Sequence, residues 1–273
     1  MKKGRWINLI LILLLLAGLS LLLYPVVSDY WNSLHQSKAI TAYADNVAQM
    51  EDTKLREIMA AAEEYNQSLL KRENEFSLTN EQRAKYPSQL NVGNDGIMGY
   101  IEIPSIQCSL PVYHGIDEAV LRVAIGHLEW TSLPTGGEST HTVLSGHRGL
   151  PSAKLFSDLD KLREGDLFMI RVLDELFTYE VDQILIVEPN EVDPLLIEDG
   201  KSYCTLVTCT PYGVNTHRML VRGHRIENPK EVVRVRVTAD AIQVEPMVVA
   251  VFVGLPMLLL ILPWLLSGKR KKR

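Results

Sequence analysis

The sequence predicts an all-β domain, folded as a closed barrel over residues 96–230, and two observations indicate this fold class. From Met98 onward, short runs rich in β-branched and aromatic residues recur, and turn residues such as Pro104, Gly115 and Gly165 separate most of them. Short strands joined by turns are typical of closed all-β barrels. The predicted strands cover residues 100–103, 110–113, 142–144, 168–172, 177–187, 203–209 and 219–226.

An apolar segment near the N-terminus, residues 7–27, contains no charged residue and follows three basic residues. It is long enough to cross a bilayer core of about 30 Å. Small residues near Ala17 leave a cleaved signal peptide open as an alternative. The apolar run continues past them, however, which favours an uncleaved anchor over residues 1–27.

A second apolar segment, residues 247–266, precedes five consecutive basic residues, so residues 247–273 are predicted to form a transmembrane helix with a basic tail. A buried core helix is the alternative, which the length and the tail disfavour. Both apolar segments carry their positive charges on the outer side. The positive-inside rule therefore predicts two spans of the cell membrane, with both termini cytoplasmic and the domain extracellular. Residues 231–246 are the predicted linker before the second span.

Residues 28–95 are predicted to form an extracellular helical segment followed by a loop. Residues 31–70 contain no Pro or Gly, and their apolar side chains follow a helical face. The face comprises Tyr43, Val47, Met50, Ile58, Ala62, Tyr65 and Leu69. We expect one or two amphipathic helices packed against the barrel, with an extended stalk as the alternative. Residues 71–92 are polar and predict a loop with one short helical turn, and residues 154–162 predict a short amphipathic connecting helix.

The charge of the chain is unevenly distributed. All 33 acidic residues and 20 of the 28 basic residues lie between residues 28 and 246, which gives this part a net charge of −13. That charge argues against nucleic acid and against an anionic lipid surface as partners. No oxygen-rich loop of recognisable spacing indicates a calcium site. The sequence does not indicate an oligomeric state.

A cysteine and an arginine lie at the ends of two predicted strands. Pro211 and Gly213 end the run at 203–209, so Cys209 is expected at the mouth of a strand. Nine residues later Arg218 opens the next run, and a hairpin-like return would bring its guanidinium alongside Cys209. An arginine beside a cysteine favours the thiolate form and donates hydrogen bonds to a developing oxyanion.

A histidine is expected at the end of a third strand. In the sequence THTVLSGHRG, an apolar run ends at Gly146 and presents His147. Histidine is the most frequent general acid and base in enzymes. We therefore predict a catalytic site made of Cys209, His147 and Arg218.

These motifs resemble those of the sortase family. The TLVTC segment with Arg218 nine positions on is the most specific part, and the phrases GHRG, MGYIEIPSI, LPVYHG and GHLEWTSLPTGG are similar to sortase sequences over roughly residues 96–226. The resemblance is strongest to class C, the pilus-assembling sortases. It implies an eight-stranded sortase β-barrel and a location at the membrane of a Gram-positive bacterium.

The resemblance also implies a transpeptidation reaction that needs no cofactor or metal. Cys209 would attack the Thr–Gly bond of an LPxTG-like sorting signal and form a thioacyl enzyme. His147 would act as general acid and base, and Arg218 would stabilise the oxyanion. In class C enzymes the incoming amine is a lysine side chain of another pilin, which makes pilin subunits the implied partners.

One segment departs from the family pattern. Class C sortases usually carry a lid with an Asp-Pro-aromatic anchor that covers the catalytic cysteine, and no such tripeptide occurs between Leu70 and Gly96. The pair Glu75 and Phe76 is a poor substitute, because it lacks the stiffening proline. Either the lid is absent, or it uses other contacts.

Other residues compete for the predicted roles. His217 is a second candidate for the acid, but its alternation with Arg218 would aim it to the opposite face. Arg222 and Arg225 are the competitors for the role of Arg218. Taken alone, Cys209 could also be an inert, half-buried thiol, His147 a hydrogen-bonded turn histidine, and Arg218 a partner in a surface ion pair.

Two further types of site are disfavoured. His141 and His147 share strand parity, but a third metal ligand at suitable spacing is missing. Ser145 does not lie in a G-x-S-x-G motif, because position 143 is a valine, which argues against a serine hydrolase.

The remaining cysteines are expected to be free. Cys204 and Cys209 lie five residues apart in one strand and would face opposite sides of it, so they cannot readily form a disulfide. A bond between Cys108 and Cys204 stays open, although a buried free thiol is favoured. Thr208 and Thr210 flank Cys209 and could offer a hydroxyl or a backbone N–H.

Three other functions remain as alternatives. A housekeeping sortase would attach surface proteins to a cell-wall precursor, and an acceptor lysine tested against a wall-peptide amine would distinguish it. A pilus-assembly protein without catalysis would bind sorting signals but form no covalent adduct. A plain cysteine protease would hydrolyse the signal at a rate that added amine does not change.

Overall fold

The computed structural model describes residues 2–72 and 75–229. The predicted linker at 231–246 and the predicted second membrane span lie outside the described residues. The helices are α1 Lys2–Ala48, α2 Asp52–Leu69, α3 Asn80–Lys85 and α4 Glu118–Leu121. The strands are β1 Ile97–Ile103, β2 Cys108–His114, β3 Ile125–His127, β4 Thr140–Ser145, β5 Leu167–Val172, β6 Glu175–Val187, β7 Ser202–Thr210 and β8 His217–Ile226.

Helix α1 carries the apolar N-terminal segment. Within the described residues, one helical stretch, Ile10–Ala48, is long and apolar enough to cross a membrane, as judged by length and composition. This agrees with an N-terminal membrane anchor, and the two-span topology stays a prediction. Residues up to Trp31 belong to one compact unit, and residues from Asn32 through the barrel belong to another.

The eight strands close into a barrel in the order β1-β2-β3-β4-β7-β8-β6-β5. The pairs β2/β3 and β4/β7 are parallel, and the other pairs are antiparallel. The predicted eight-stranded barrel is therefore confirmed. Strand β3 was not among the predicted runs, because three residues with a central glycine give no detectable alternation. Gly126 is required there, since an added Cβ would lie 2.0 Å from the carbonyl oxygen of Gly115.

The expected amphipathic helices pack on the barrel unit. Tyr43 and Val47 near the end of α1 are buried, as are Ala62, Tyr65 and Leu69 on α2. The hydroxyl of Tyr43 donates to the carbonyl of Met98 at 3.1 Å and accepts from the backbone N–H of Leu173 at 2.8 Å. Such buried polar contacts fix the helix in one orientation, so this segment is no extended stalk.

Two predictions about short helices have different outcomes. The turn expected within residues 71–92 is α3, which begins at a capping box formed by Thr79 and Gln82. The helix predicted for residues 154–162 is wrong, since that stretch contains only a 3-10 turn at Leu159–Lys161. Leu155 has a φ of 39°, which is incompatible with a right-handed helix.

Two apolar clusters lie on the two faces of the β4/β7/β8/β6 wall. The barrel core includes Leu144, Leu206 and Val221, whereas the residues next to them in sequence contribute to a second cluster. Because side chains alternate along a strand, this second cluster lies on the outer face of the wall. We call it the outer apolar cluster, and it comprises Val143, Val187, Leu195 and Leu220, with Leu128, Trp130, Leu185 and Val207 packed against them.

Candidate active site

Cys209 lies near the end of β7 on the outer face of the wall. Cys204 and Leu206 belong to the barrel core, so alternation aims Val207 and Cys209 outward. The residue is half-buried, which leaves part of it accessible from solvent. The thiol therefore stands at one edge of the outer apolar cluster.

Arg218 is the direct cross-strand partner of Cys209. Strands β7 and β8 pair antiparallel, and their register places Arg218 opposite Cys209. Paired residues project from the same face of a sheet, so the guanidinium and the thiol share the outer face. Nη1 of Arg218 donates to the carbonyls of Asn215 at 3.3 Å and His217 at 3.1 Å, in the turn between the two strands. The expected return of the chain to Cys209 therefore occurs.

His147 follows the neighbouring strand, β4, at the same level. Strands β4 and β7 are parallel, with Ser145 opposite Val207, and the ladder continues as the N–H of Gly146 donates to the carbonyl of Val207 at 3.0 Å. His147 lies two residues beyond Ser145, as Cys209 lies two residues beyond Val207. The three predicted site residues thus meet at one end of the wall, and their catalytic roles stay a prediction.

Thr208 joins the two segments that carry the histidine and the cysteine. Its buried hydroxyl donates to the carbonyl of Gly146 at 2.7 Å. The sequence suggested that Thr208 could offer a hydroxyl near the thiol. The hydroxyl is instead engaged with the residue before His147, which gives Thr208 a positioning role.

A carboxylate that the sequence did not indicate lies beside the histidine. Oε2 of Glu118, at the start of α4, is 3.8 Å from Nε2 of His147. The other oxygen of Glu118 accepts from Nε of Arg122 at 2.8 Å, and this hydrogen bond is the main reason that the pKa of Glu118 lies below its usual value. Glu118 occupies a four-residue helix without a motif, so only the fold could reveal this neighbour.

All three cysteines are free. Cys204 is fully buried, and its burial raises the pKa of the thiol well above the ordinary value. Burial also raises the pKa of the Cys108 thiol, to about 12. Thiolates are the reactive form of cysteine, so neither of these residues suits a nucleophile.

Comparison with known proteins places these features in one family. The sequence pattern described as the sortase domain matches residues 101–226. Sortase D of Bacillus subtilis is 30% identical over 131 residues, which cover 47% of this chain and 63% of the relative. Sortase A of Streptococcus agalactiae is 30% identical over 126 residues, which cover 45% of this chain and 51% of the relative. The matched regions thus span less than two thirds of these curated relatives.

Solved structures agree over a larger share of the chain. Sortase C1 from Streptococcus agalactiae is 53% identical with a TM-score of 0.68, and the match covers 70% of this chain and all of that chain. The chain belongs to the sortase family. Sortase C of Streptococcus pneumoniae is 44% identical with a TM-score of 0.64, and the match covers 70% of this chain and 97% of that chain. These matches assign the chain to the class C sortases, and sortases are cysteine transpeptidases.

The competing residues of this sortase are engaged elsewhere. His217 is exposed, and its Nδ1 lies 2.9 Å from the hydroxyl of Thr216. Arg222 pairs with Asp182, with 3.0 Å between Nε and Oδ1, and its guanidinium stacks 4.1 Å from the ring centre of Tyr203. Arg225 donates to backbone carbonyls of β6. None of these contacts directs a side chain at the thiol.

His141 is held inside a hydrogen-bond network. Its Nδ1 lies 2.8 Å from the carbonyl oxygen of Leu196, and its Nε2 lies 2.7 Å from the hydroxyl of Thr205. Burial lowers the pKa of His141 to about 4, so the ring is neutral at pH 7. With both ring nitrogens occupied, His141 is not available to bind a metal together with His147.

The segment before α3 in this sortase is attached to the connection between β3 and β4. The ring of Phe76 lies 5.5 Å from that of Trp130 in an edge-to-face arrangement. Nη1 of Arg72 donates to the carbonyl of Trp130 at 2.9 Å. Trp130 itself packs on the outer apolar cluster. The segment that lacks an Asp-Pro-aromatic anchor therefore uses different contacts.

Proposed function

We propose that this sortase polymerises pilins through a thioacyl intermediate on Cys209. The thiolate attacks the carbonyl carbon between Thr and Gly of an LPxTG-like sorting signal, a C–S bond forms, and the C–N bond breaks. His147 gives a proton to the departing glycine amine. A lysine amine of another pilin then attacks the thioester, gives a proton back to His147 and releases the thiolate as an isopeptide bond forms.

The observation that carries this proposal is the convergence of Cys209, Arg218 and His147 on one face. Arg218 stands opposite the nucleophile in the β7/β8 ladder, where its N–H groups can reach an oxyanion formed on the attacked carbonyl. His147 stands on the other side, at the end of the parallel strand β4. The proposed nucleophile and oxyanion donor lie on two adjacent strands, and the proposed proton donor lies two residues beyond the end of a third.

The outer apolar cluster supports a peptide substrate with apolar side chains. Val207 precedes Cys209 by two residues on the same face, and Val143 and Leu220 lie on the strands to either side. Val143 and Leu220 are already buried, so a leucine and a proline of the sorting signal would bury apolar surface against the partly exposed members of the cluster, such as Val207, at roughly 25 cal/mol per Å². The threonine carbonyl would then reach the thiol.

The structural matches support a pilin substrate over a cell-wall precursor. The solved structures with 53% and 44% identity are both sortases C, whereas a solved sortase A from Corynebacterium diphtheriae is 37% identical and the sortases A among the curated relatives reach 30%. The pneumococcal structure is described as giving insight into the pilin substrate specificity of that sortase C. We propose the same substrate class here, with the barrel outside a Gram-positive cell membrane and both termini inside.

Intact mass of the full-length chain in detergent, after incubation with an LPxTG-like peptide, tests the thioester. We expect the mass to increase by that of the acyl group that ends at the threonine of the peptide. Cys209→Ala should give no adduct, and Cys108→Ala should give the same adduct as the unsubstituted chain. A noncovalent complex without adduct in any of the three would contradict the proposal and favour a binding protein.

The choice of acceptor tests the pilin assignment. The preformed thioester is offered a lysine-containing pilin peptide or a wall-peptide amine at equal concentration, and the products are separated by mass. We expect the lysine peptide to be joined faster. Preference for the wall-peptide amine would identify a housekeeping sortase, and hydrolysis at a rate unaffected by either amine would identify a protease.

A further inference from the structure

Arg148, the residue after His147, is buried to a degree unusual for arginine. Its side chain is 8% exposed, and Nη2 forms an ion pair with a carboxylate oxygen of Asp160. Nη1 donates to the hydroxyl of Thr210 at 3.3 Å, and Thr210 is the residue after Cys209. One guanidinium therefore joins the neighbour of the histidine to the neighbour of the cysteine.

A second contact joins the same two segments. The guanidinium carbon of Arg148 lies 5.8 Å from the ring centre of Tyr212, which follows Cys209 by three residues. Gly149 lies close to the same ring, because a Cβ at this glycine would be 3.0 Å from Cε2 of Tyr212. The turn after β7 therefore contacts residues 148 and 149.

We propose that Arg148 is a positioning residue that keeps Cys209 within reach of His147, with Asp160 as its anchor. The role rests on the proposed function, in which a proton passes between His147 and the reacting amine. Backbone hydrogen bonds join β4 to β7 as far as Gly146. Beyond Gly146, at the level of the reacting side chains, the contacts of Arg148 hold the two segments together.

The geometry requires an arginine. A buried charge is tolerated only where it is paired, and Asp160 supplies the opposite charge. The planar guanidinium presents several N–H groups in fixed directions, so it can serve Asp160 and Thr210 at once. A lysine would keep the positive charge as a single point and could not hold both partners in the same way.

Arg148→Lys, Asp160→Asn and the double variant test this role in the full-length chain, with Arg163→Lys as a matched control at an exposed arginine nearby. Thioester formation with an LPxTG-like peptide gives kcat and KM. We expect kcat to fall about 10- to 100-fold in Arg148→Lys with KM within about twofold, because a misplaced reacting pair loses rate and not binding. Asp160→Asn should fall in the same direction, and the double variant should be no slower than Arg148→Lys, since both changes break one unit.

Alkylation of Cys209 by iodoacetamide separates this role from a general loss of structure, and its rate should be unchanged in every variant. The role is wrong if Arg148→Lys keeps the kcat of the unsubstituted chain, if the loss lies only in KM, or if the losses in the double variant multiply. An alkylation rate that changes in step with kcat would also overturn this role. It would mean that the substitution alters the reactivity of the thiol and not its distance to His147. If the unsubstituted chain forms no thioester, the proposed function is wrong, and the role of Arg148, which depends on it, is wrong as well.

Discussion

The three thiols of this sortase differ in the protein that surrounds them. Cys108 and Cys209 are both half-buried and Cys204 is fully buried, and burial raises the pKa of the Cys108 thiol to about 12 and that of Cys204 well above its ordinary value. We predict that iodoacetamide adds one group to the folded chain at pH 7.5 and that Cys209→Ala adds none, as read by intact mass. Two or more groups on the native chain, or labelling that persists in Cys209→Ala, would contradict this assignment.

Two buried histidines make the stability of the domain depend on pH. Burial lowers the pKa of His127 and of His141 to about 4, against an ordinary value of 6.5. His127 is fixed between the hydroxyl of Tyr86 and the carbonyl of Ser132. Between pH 6.5 and 4 the unfolded chain binds protons that the folded chain does not, so the free energy of unfolding falls as pH falls, by about 3 kcal/mol per histidine.

Thermal unfolding at pH 7.5, 6.5, 5.5 and 4.5 measures this dependence. His127→Gln should flatten the profile, and His141→Gln should flatten it by a similar amount. A midpoint that stays constant down to pH 4.5 in the unsubstituted chain would exclude the contribution of both buried rings.

Single residues of the site could be recognised from sequence only where a strand end marked them. His147 directly follows Gly146, Cys209 lies two residues before Pro211, and Arg218 opens the apolar run after that turn, so turn residues marked the strand ends. Glu118 and Asp160 contact the site from helical turns of four and three residues. Helical turns this short carry no repeating pattern of apolar residues in the sequence. Their positions become known only once the barrel is folded.

At the scale of elements, the packing of the end of β4 against β3 and against Phe156 depends on the glycine before the histidine. A Cβ at Gly146 would lie 2.7 Å from Cδ2 of Phe156 and 2.8 Å from Cγ2 of Ile125, and both side chains are fully buried. We predict that Gly146→Ala destabilises the fold by about 1–3 kcal/mol, because overpacking forces neighbours apart. It should also slow thioester formation by displacing His147.

Gly137→Ala is the control, since the nearest atom to its new Cβ is 3.9 Å away. Thermal unfolding and the acylation rate measure both effects. Equal unfolding midpoints for the two variants would contradict the close approach at Gly146.

Elements with a sustained period were predictable, and those governed by local contacts were not. The apolar face of α2 repeats over five turns of helix and identifies itself. Residues 154–162 carry a helical pattern as well, yet the N–H of Phe156 donates to the carbonyl of His147 at 3.2 Å. This hydrogen bond, between residues nine positions apart, replaces the one that a helix would form at Phe156. The pattern of residues 154–162 does not show it.

At the scale of the whole molecule, the net charge of −13 between residues 28 and 246 should attract cationic acceptors. We predict that KM for a lysine acceptor peptide with a second lysine beside it rises several-fold between 0.05 and 0.5 M salt, because salt screens the attraction. A peptide with glutamate at that position should show a smaller change or the opposite one. Equal salt dependence for the two peptides would contradict this steering.

The barrel class followed from the sequence, but the pairing of its strands did not. Alternating runs between turn residues predict strands, and they leave open which strands pair. The parallel pairs β2/β3 and β4/β7 join segments that no turn connects. Their register depends on the packing of the complete core, which composition and spacing do not contain.

The parallel pairing of β4 with β7 also determines when this enzyme can first react. Val143 and Thr205, which the pairing brings opposite each other, are separated by 62 positions of chain. Contacts across such distances form late, after the cost of closing the loop has been met. A chain that is still folding therefore has Cys209 without His147 beside it. The acyl transfer proposed here therefore requires the completed barrel.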